Sequence, residues 1–162
     1  MSETGKMQRR VFVARIAGLV AVGVTGRRLW AELPAGMSPT PITVYKSSTC
    51  GCCTKWVDHI RANGFAPVVH DDEEMEARKD EMGVPRQVRS CHTGIVDKYL
   101  IEGHVPASDI RRLLAERPKT AGLAVPEMPP LTPGMAPAGE RPRDFEVVSF
   151  QSDGSTKLFA RH

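Results

Sequence analysis

The chain has 162 residues, 41% hydrophobic and 25% charged, which is enough for one modest globular domain with extensions. Its formal net charge is +3, but residues 1–31 hold six of the 22 basic residues and one of the 19 acidic residues. Residues 32–162 therefore hold 16 basic and 18 acidic residues, a net charge of −2 that excludes an electrostatic case for nucleic-acid binding.

Residues 1–31 have the composition of an export signal. The motif RRVFV at residues 9–13 resembles the twin-arginine export pattern. The apolar run at residues 16–24 suits the core of a signal peptide and is far shorter than the ~20 residues that cross a bilayer. A short amphipathic helix is the alternative. We therefore expect export to the bacterial periplasm, with no stable membrane span after removal of the signal.

The first part of the domain is predicted to alternate strand and helix. Residues 32–40 form a predicted linker that contains Pro, Gly and Ser. ITVYKSS at 42–48 predicts a strand because it is rich in β-branched and aromatic residues. CTKWVDHIRANG at 53–64 predicts a helix, with apolar residues three and four apart and an Asn-Gly stop. Trp56 is expected to anchor the core beneath the cysteines, and FAPVVH at 65–70 predicts a second strand.

The second part of the domain adds a hairpin and two helices. DDEEMEARKDEMG at 71–83 predicts a helix in which Asp71 and Glu74 form a capping box. CHTGIV and YLIEGHV flank an Asp-Lys turn and predict a hairpin, and PASDIRRLLAERP predicts a third helix that begins at a proline. The order β-α-β-α-β-β-α over residues 41–118 predicts an α/β domain with a mixed sheet.

The composition changes after the third predicted helix. Seven of the 13 prolines fall between residues 118 and 142, and proline serves neither a helix interior nor a central strand. Residues 119–143 are therefore predicted to form a Pro/Met-rich loop, in which Met128 and Met135 are further soft sulfur donors. Residues 144–162 predict a C-terminal β-hairpin, because two β-rich runs flank an Asp-Gly turn.

Three of the four cysteines lie at the turn between the first predicted strand and helix. Cys50 and Cys53 form a Cys-x-x-Cys pair whose sulfurs can meet. The unpaired N–H groups and partial positive charge of a helix N-terminus stabilise a thiolate, which is both a redox nucleophile and a soft metal ligand. Cys52 distinguishes the two roles, because a third thiol competes with a redox pair but adds a ligand to a metal cluster.

The fourth cysteine, Cys91, opens the third predicted strand beside His92. Its sulfur reaches the rim that carries Cys50 only if this strand runs antiparallel to the first. His104 follows the next strand and is expected near or opposite the same rim. We therefore treat Cys91, His92 and His104 as candidate partners of the first three cysteines.

Five segments together resemble the CopG-type copper-resistance family over residues 41–160: ITVYKSSTCGCCTKW, SCHT, YLIEGHVP, DIRRLLAERP and GLAVPEMP. The resemblance implies a thioredoxin-like fold, Cu(I) as the ligand, and other copper-handling envelope proteins as partners. The positions that match the family's thiol motifs are Cys50, Cys52, Cys53 and Cys91, with His92 adjacent.

The chemistry of the donors leaves alternatives. Copper(I) is soft and takes thiolate, thioether and imidazole ligands, and four thiols with one or two imidazoles exceed the needs of one ion. Zinc would take a tetrahedral Cys₄ or Cys₃His set. A thiol-disulfide oxidoreductase would use Cys50 as the attacking thiolate and Cys53 as the resolving thiol. A structural disulfide module is the remaining alternative, and metal binding is favoured over catalysis.

Overall fold

The computed structural model describes residues 38–162, so the predicted export signal and most of the predicted linker lie outside it. In chain order the elements are β1 Thr40–Lys46, α1 Gly51–Ala62, β2 Phe65–Asp71, α2 Met75–Glu81, a 3-10 turn Arg86–Val88, β3 His92–Val96, β4 Tyr99–Glu102, α3 Ala107–Glu116, β5 Gly122–Ala124, β6 Glu146–Phe150 and β7 Thr156–Arg161. Within the described range, no helix is both long and apolar enough to cross a membrane.

All seven strands belong to one mixed sheet in the order β2-β1-β3-β4-β5-β6-β7. β1 pairs with β2 and β4 with β5 in parallel, whereas every other neighbouring pair is antiparallel. The predicted α/β class, the order β-α-β-α-β-β-α and the C-terminal hairpin are confirmed. Because β3 is antiparallel to β1, Lys46 at the end of β1 lies opposite His92 at the start of β3.

The main core lies between the sheet and helices α1 and α3. Trp56, Val57 and Ile60 of α1 are buried against the strands, as the three- and four-residue spacing predicts. Trp56 is fully buried, and its Nε1 donates a hydrogen bond to the carbonyl oxygen of Val105, 2.9 Å away. Removing such a side chain typically costs about 3–5 kcal/mol. The predicted role of Trp56 as a core anchor is confirmed, and its hydrogen bond ties α1 to the segment between β4 and α3.

Helix α2 begins later than the sequence predicts. The strand β2 continues to Asp71, which lies opposite Lys46 in the parallel register and forms a 2.9 Å ion pair with it. The predicted capping box of Asp71 and Glu74 is therefore wrong. The neighbouring Asp72 accepts a hydrogen bond from the N–H of Glu74 at 2.9 Å instead.

The Pro/Met-rich region contains a strand where the sequence predicts a loop. Residues Gly122–Ala124 pair with β4 and with β6, so they join the C-terminal hairpin to the main sheet. Gly122 faces the backbone of Leu100 at a separation that leaves no room for a Cβ atom. The segment precedes the first proline of the loop proper, Pro126, which explains why a strand can form there.

His59 on α1 stabilises the start of α3. Pro106 at the helix N-cap offers no side-chain acceptor, and Nε2 of His59 accepts a hydrogen bond from the N–H of Ala107 at 3.2 Å. Burial, and then the nearby Arg111 cation, lower the pKa of His59 below its ordinary 6.5. The neutral imidazole is therefore the form that caps the helix.

This contact predicts a pH-dependent contribution to stability. Since the pKa of His59 is lowered on folding, its contribution is present above pH 6.5 and is lost as the pH falls below it. We expect urea denaturation above and below pH 6.5 to show that His59→Gln loses less stability at acid pH than the wild type does, because glutamine keeps a hydrogen-bond acceptor and does not titrate. Equal pH dependence in the two proteins would exclude the His59 contribution. The variant must be compared with the wild type because the pKa values of His92 and His104 are also lowered, so these residues reduce the stability of both proteins at acid pH.

Candidate metal centre

The turn before α1 presents the first three cysteines. Glu73 holds this turn, because its carboxylate accepts hydrogen bonds from the N–H of Ser48 and the hydroxyl of Ser47, both at 3.0 Å. Cys50 occupies the N-cap of α1, and its carbonyl accepts from the N–H of Thr54 at 3.2 Å. The cysteines therefore lie at the N-cap and in the first turn of the helix, where the sequence placed them.

The four sulfur atoms form one group. Cys50 and Cys53 are joined by a disulfide with a Cα–Cα distance of 5.3 Å, whereas Cys52 and Cys91 are outside it. Sγ of Cys52 lies 3.6 Å from Sγ of Cys50. The structure also brings Cys91 to this group, and all four sulfurs lie within 4.8 Å of one another. Cys53 is buried and the other three cysteines are partly exposed.

Cys91 also belongs to a second group, with His92 and His104. Its Sγ lies 3.3 Å from Nδ1 of His92 and 3.1 Å from Nε2 of His104. The β3–β4 hairpin creates this proximity, since the N–H of Gly103 donates to the carbonyl of His92 at 3.0 Å. Both imidazoles are buried. The sequence did not decide whether His104 lies near the rim that carries Cys50 or opposite it, and the structure places its imidazole beside Cys91.

The hydrogen bonds of His104 identify the nitrogen that can bind a metal. Its Nδ1 lies 2.7 Å from the carbonyl oxygen of Pro133. A carbonyl only accepts, so Nδ1 carries the proton and Nε2 offers its lone pair toward Cys91. Metal-ligating histidines are commonly fixed by such an outer hydrogen bond.

His92 packs against Trp56, with ring centroids 4.3 Å apart. Its Nε2 is buried and has no hydrogen-bond partner among residues 38–162. A buried polar atom without a partner costs about 1–3 kcal/mol, and such atoms are uncommon in folded proteins. The imidazole of His92 is therefore incompletely satisfied.

The electrostatics of the site favour neutral imidazoles. Burial lowers the pKa of His92 well below its usual value, with His104 and Lys79 adding to the effect, and burial also lowers the pKa of His104. Burial, and then the neighbouring Cys52, raise the pKa of the Cys91 thiol to about 12. The imidazoles can therefore donate lone pairs at neutral pH, whereas Cys91 must release a proton when a cation binds.

The Pro/Met-rich loop lies over the start of α1. Gly134 has φ +86°, and a Cβ atom there would lie 2.7 Å from the backbone nitrogen of Trp56 and 3.1 Å from the carbonyl oxygen of Cys52. The preceding carbonyl, of Pro133, binds His104. The loop backbone therefore contacts both halves of the site. Met135 is partly buried next to this contact, whereas Met128 is 44% exposed.

Two residues behind the site were not predicted from the sequence. Lys79 and Glu102 form a buried ion pair on the opposite face of the sheet from His92. Lys79 lies in the charged segment at residues 71–83, where no local pattern marks it for burial. A usable signal was the single acid within the apolar run YLIEGHV, directly before the Gly-His pair.

Comparisons with known proteins give a family. A family profile described as "Protein of unknown function, DUF411" matches residues 88–135, which include Cys91, His92 and His104. No curated protein matches the chain.

Two solved structures match most of the chain. They are titled "Copper resistance protein copG- Form 1" and "Copper resistance protein copG- Form 2". Each has 42% sequence identity and a TM-score of 0.69, and each match covers 76% of this chain and 98% of the solved chain. The identity and the coverage confirm the family that the cysteine and histidine motifs predicted. The chain belongs to the CopG family of copper resistance proteins.

Proposed function

We propose that the protein handles copper by binding Cu(I) through the cysteine and histidine side chains at the start of α1 and the β3–β4 hairpin: Cys50, Cys52, Cys53, Cys91, His92 and His104. One observation carries this proposal. The four-sulfur group and the Cys91-His92-His104 group share Cys91, and the ligand atoms of each group lie within 4.8 Å of one another. The titles of the related structures support copper as the cargo.

The donor set suits Cu(I) better than zinc. Thiolates and imidazoles are preferred ligands of the soft Cu(I) ion, which accepts low coordination numbers. A single zinc would need four donors in a tetrahedron, and successive residues such as Cys52 and Cys53 project about 100° apart on a helix. Six donors in two groups exceed the needs of one ion, so we infer more than one bound copper.

The disulfide makes the copper capacity depend on the redox state. While Cys50 and Cys53 are joined, neither sulfur is available as a thiolate. Reduction of the disulfide consumes two electrons and two protons. Two Cu(I) ions can supply the electrons and solvent can supply the protons, which gives two Cu(II) ions and two thiols. The reverse reaction returns the disulfide and two Cu(I). Coupling of copper and thiol redox states is therefore part of the proposal.

We further propose that this chemistry takes place in the periplasm. The support is the twin-arginine-like segment at 1–31, followed by the linker at 32–40. In an oxidising compartment, cysteines such as Cys52 and Cys91 need a partner, and a bound metal supplies one. The partners would then be copper ions and other copper-handling envelope proteins.

The direct test is titration of the reduced full chain with Cu(I) under anaerobic conditions, against a competing chelator. We expect more than one Cu(I) per chain, and a lower number for Cys52→Ser, because this change removes one thiol and leaves the remaining donors in place. The matched control is Met82→Leu, which removes a sulfur that packs in a separate apolar cluster. The proposal would be contradicted if the protein did not bind Cu(I) tightly, or if it bound a single zinc ion more tightly than Cu(I).

A second candidate is a thiol-disulfide oxidoreductase, favoured by the Cys50–Cys53 disulfide at a helix N-terminus. In this mechanism Cys50 would attack, Cys53 would resolve the mixed disulfide, and Cys91 would be a third redox thiol. Copper-free reduction of insulin disulfides that is lost in Cys50→Ser but retained in Cys52→Ser would support it. Inactivity of the copper-free protein would leave copper binding as the function.

A further inference from the structure

A buried ion pair lies directly behind the metal centre. Lys79 of α2 is 1% exposed and Glu102 at the end of β4 is fully buried, and their side chains are in direct contact. Lys79 also donates to the hydroxyl of Thr93 at 3.1 Å. A buried ion pair is weak grounds for stability, because removing two charges from water offsets most of their attraction. Stability alone therefore does not explain why Lys79 and Glu102 are buried together.

The carboxylate of Glu102 holds the chain on both sides of the Cys91-His92 pair. One oxygen accepts a hydrogen bond from the backbone N–H of Ser90 at 2.6 Å, and the other accepts from the hydroxyl of Thr93 at 2.6 Å. Ser90 and Thr93 are the residues immediately before and after the two donors. One side chain therefore fixes the segment that carries them.

The residue after Glu102 makes a second contact with the same segment. Gly103 has φ +71°, and a Cβ atom there would lie 2.5 Å from Oγ of Ser90. The N–H of Gly103 also donates to the carbonyl of His92. His104 comes next, so the position of its ring relative to Cys91 depends on how closely these two segments pack.

We propose that Glu102 is the positioning residue of the copper site, with Lys79 as its counter-charge. This inference rests on the function proposed above. Glu102 is not a ligand in this arrangement, because Thr93 and Glu102 are cross-strand partners and adjacent side chains on β3 point to opposite faces of the sheet. The carboxylate acts through the backbone of Ser90, which sets the distance from the Cys91 sulfur to its two imidazoles.

Two neutral double variants of the full chain isolate this role. Lys79→Met with Glu102→Gln removes both charges but keeps an oxygen for the N–H of Ser90. Lys79→Met with Glu102→Met has nearly the same volume and no acceptor. We expect the Gln variant to bind Cu(I) within a few-fold of the wild type and the Met variant to bind it about 10–100-fold more weakly, as for loss of an outer-shell partner. A purely structural role would instead change the melting temperature and leave affinity unchanged.

A second readout does not depend on copper. In the metal-free protein, mass spectrometry can follow the rate at which iodoacetamide alkylates Cys91, and we expect that rate to change in the Met variant and not in the Gln variant. If the Met variant does not fold, Glu102→Asp replaces it, because Asp keeps the charge but withdraws the oxygen from Ser90. Wild-type copper affinity and wild-type alkylation in the variant without the acceptor would overturn the inference. Failure of the wild type to bind Cu(I) would instead overturn the proposed function.

Discussion

Replacing Cys91 with serine is expected to lower the affinity for Cu(I) by at least about 100-fold, beyond the 10–100-fold typical of outer-shell changes. Cys91 is the one residue that both donor groups contain. Its loss leaves the thiols of α1 on one side and the two imidazoles on the other, without a common sulfur. Oxygen in place of sulfur keeps the size of the side chain but removes the soft donor that Cu(I) prefers.

The measurement is competition between the reduced protein and a Cu(I) chelator, combined with a count of bound copper. The matched control is Met82→Leu, because it removes a sulfur atom that packs in a separate apolar cluster away from both donor groups. The control should bind copper as the wild type does. Copper binding by Cys91→Ser at wild-type strength would show that the two donor groups act independently of Cys91.

The second large effect is expected for Gly134→Ala in the loop that contacts α1. An added methyl group would lie 2.7 Å from the backbone nitrogen of Trp56, and φ +86° is itself unfavourable for alanine. We expect a loss of stability of about 1–3 kcal/mol. We also expect the loop to move away from α1 and to withdraw the Pro133 carbonyl from His104, so that Cu(I) is released to a chelator about tenfold faster.

Gly139→Ala provides a control within the same loop. Gly139 has nearly the same dihedral, φ +87°, but nothing lies within 4 Å of the position that a Cβ atom would take. It therefore reproduces the backbone strain without the contact. Stopped-flow transfer of Cu(I) to a chelator separates the two variants, and chemical denaturation measures their stability. Equal release rates in the two variants would show that the loop contact does not retain copper.

Local patterns explain what the sequence could predict. The position of Cys50 at the helix start and the burial of Trp56 follow from residue spacing within one turn or two of α1. The arrival of Cys91 beside them depended on strand direction, and the predicted hairpin allowed only a few topologies. Antiparallel pairing of β1 and β3 is what brings the two segments to one rim.

Other features depended on tertiary contacts that no local pattern records. Lys79 lies among charged residues, and only the packing of α2 on the sheet buries it against Glu102. The strand at Gly122–Ala124 is three residues long, too short for a periodic signal, and pairs with partners far away in the chain. The spacing of Cys50 and Cys53 permits either a disulfide or two thiolates, so the sequence could not choose between them.

The position of the donors on α1 and on the β3–β4 hairpin has a consequence for the lifetime of the protein. The two segments are separated in the chain by β2 and α2, so the complete set of donors exists only when the chain is folded. By mass action, a ligand that binds the folded state alone stabilises it by about 2.7 kcal/mol at a concentration of 100 times its Kd. A larger copper supply would then make the protein more resistant to proteolysis, and the chain would persist longest when copper is abundant.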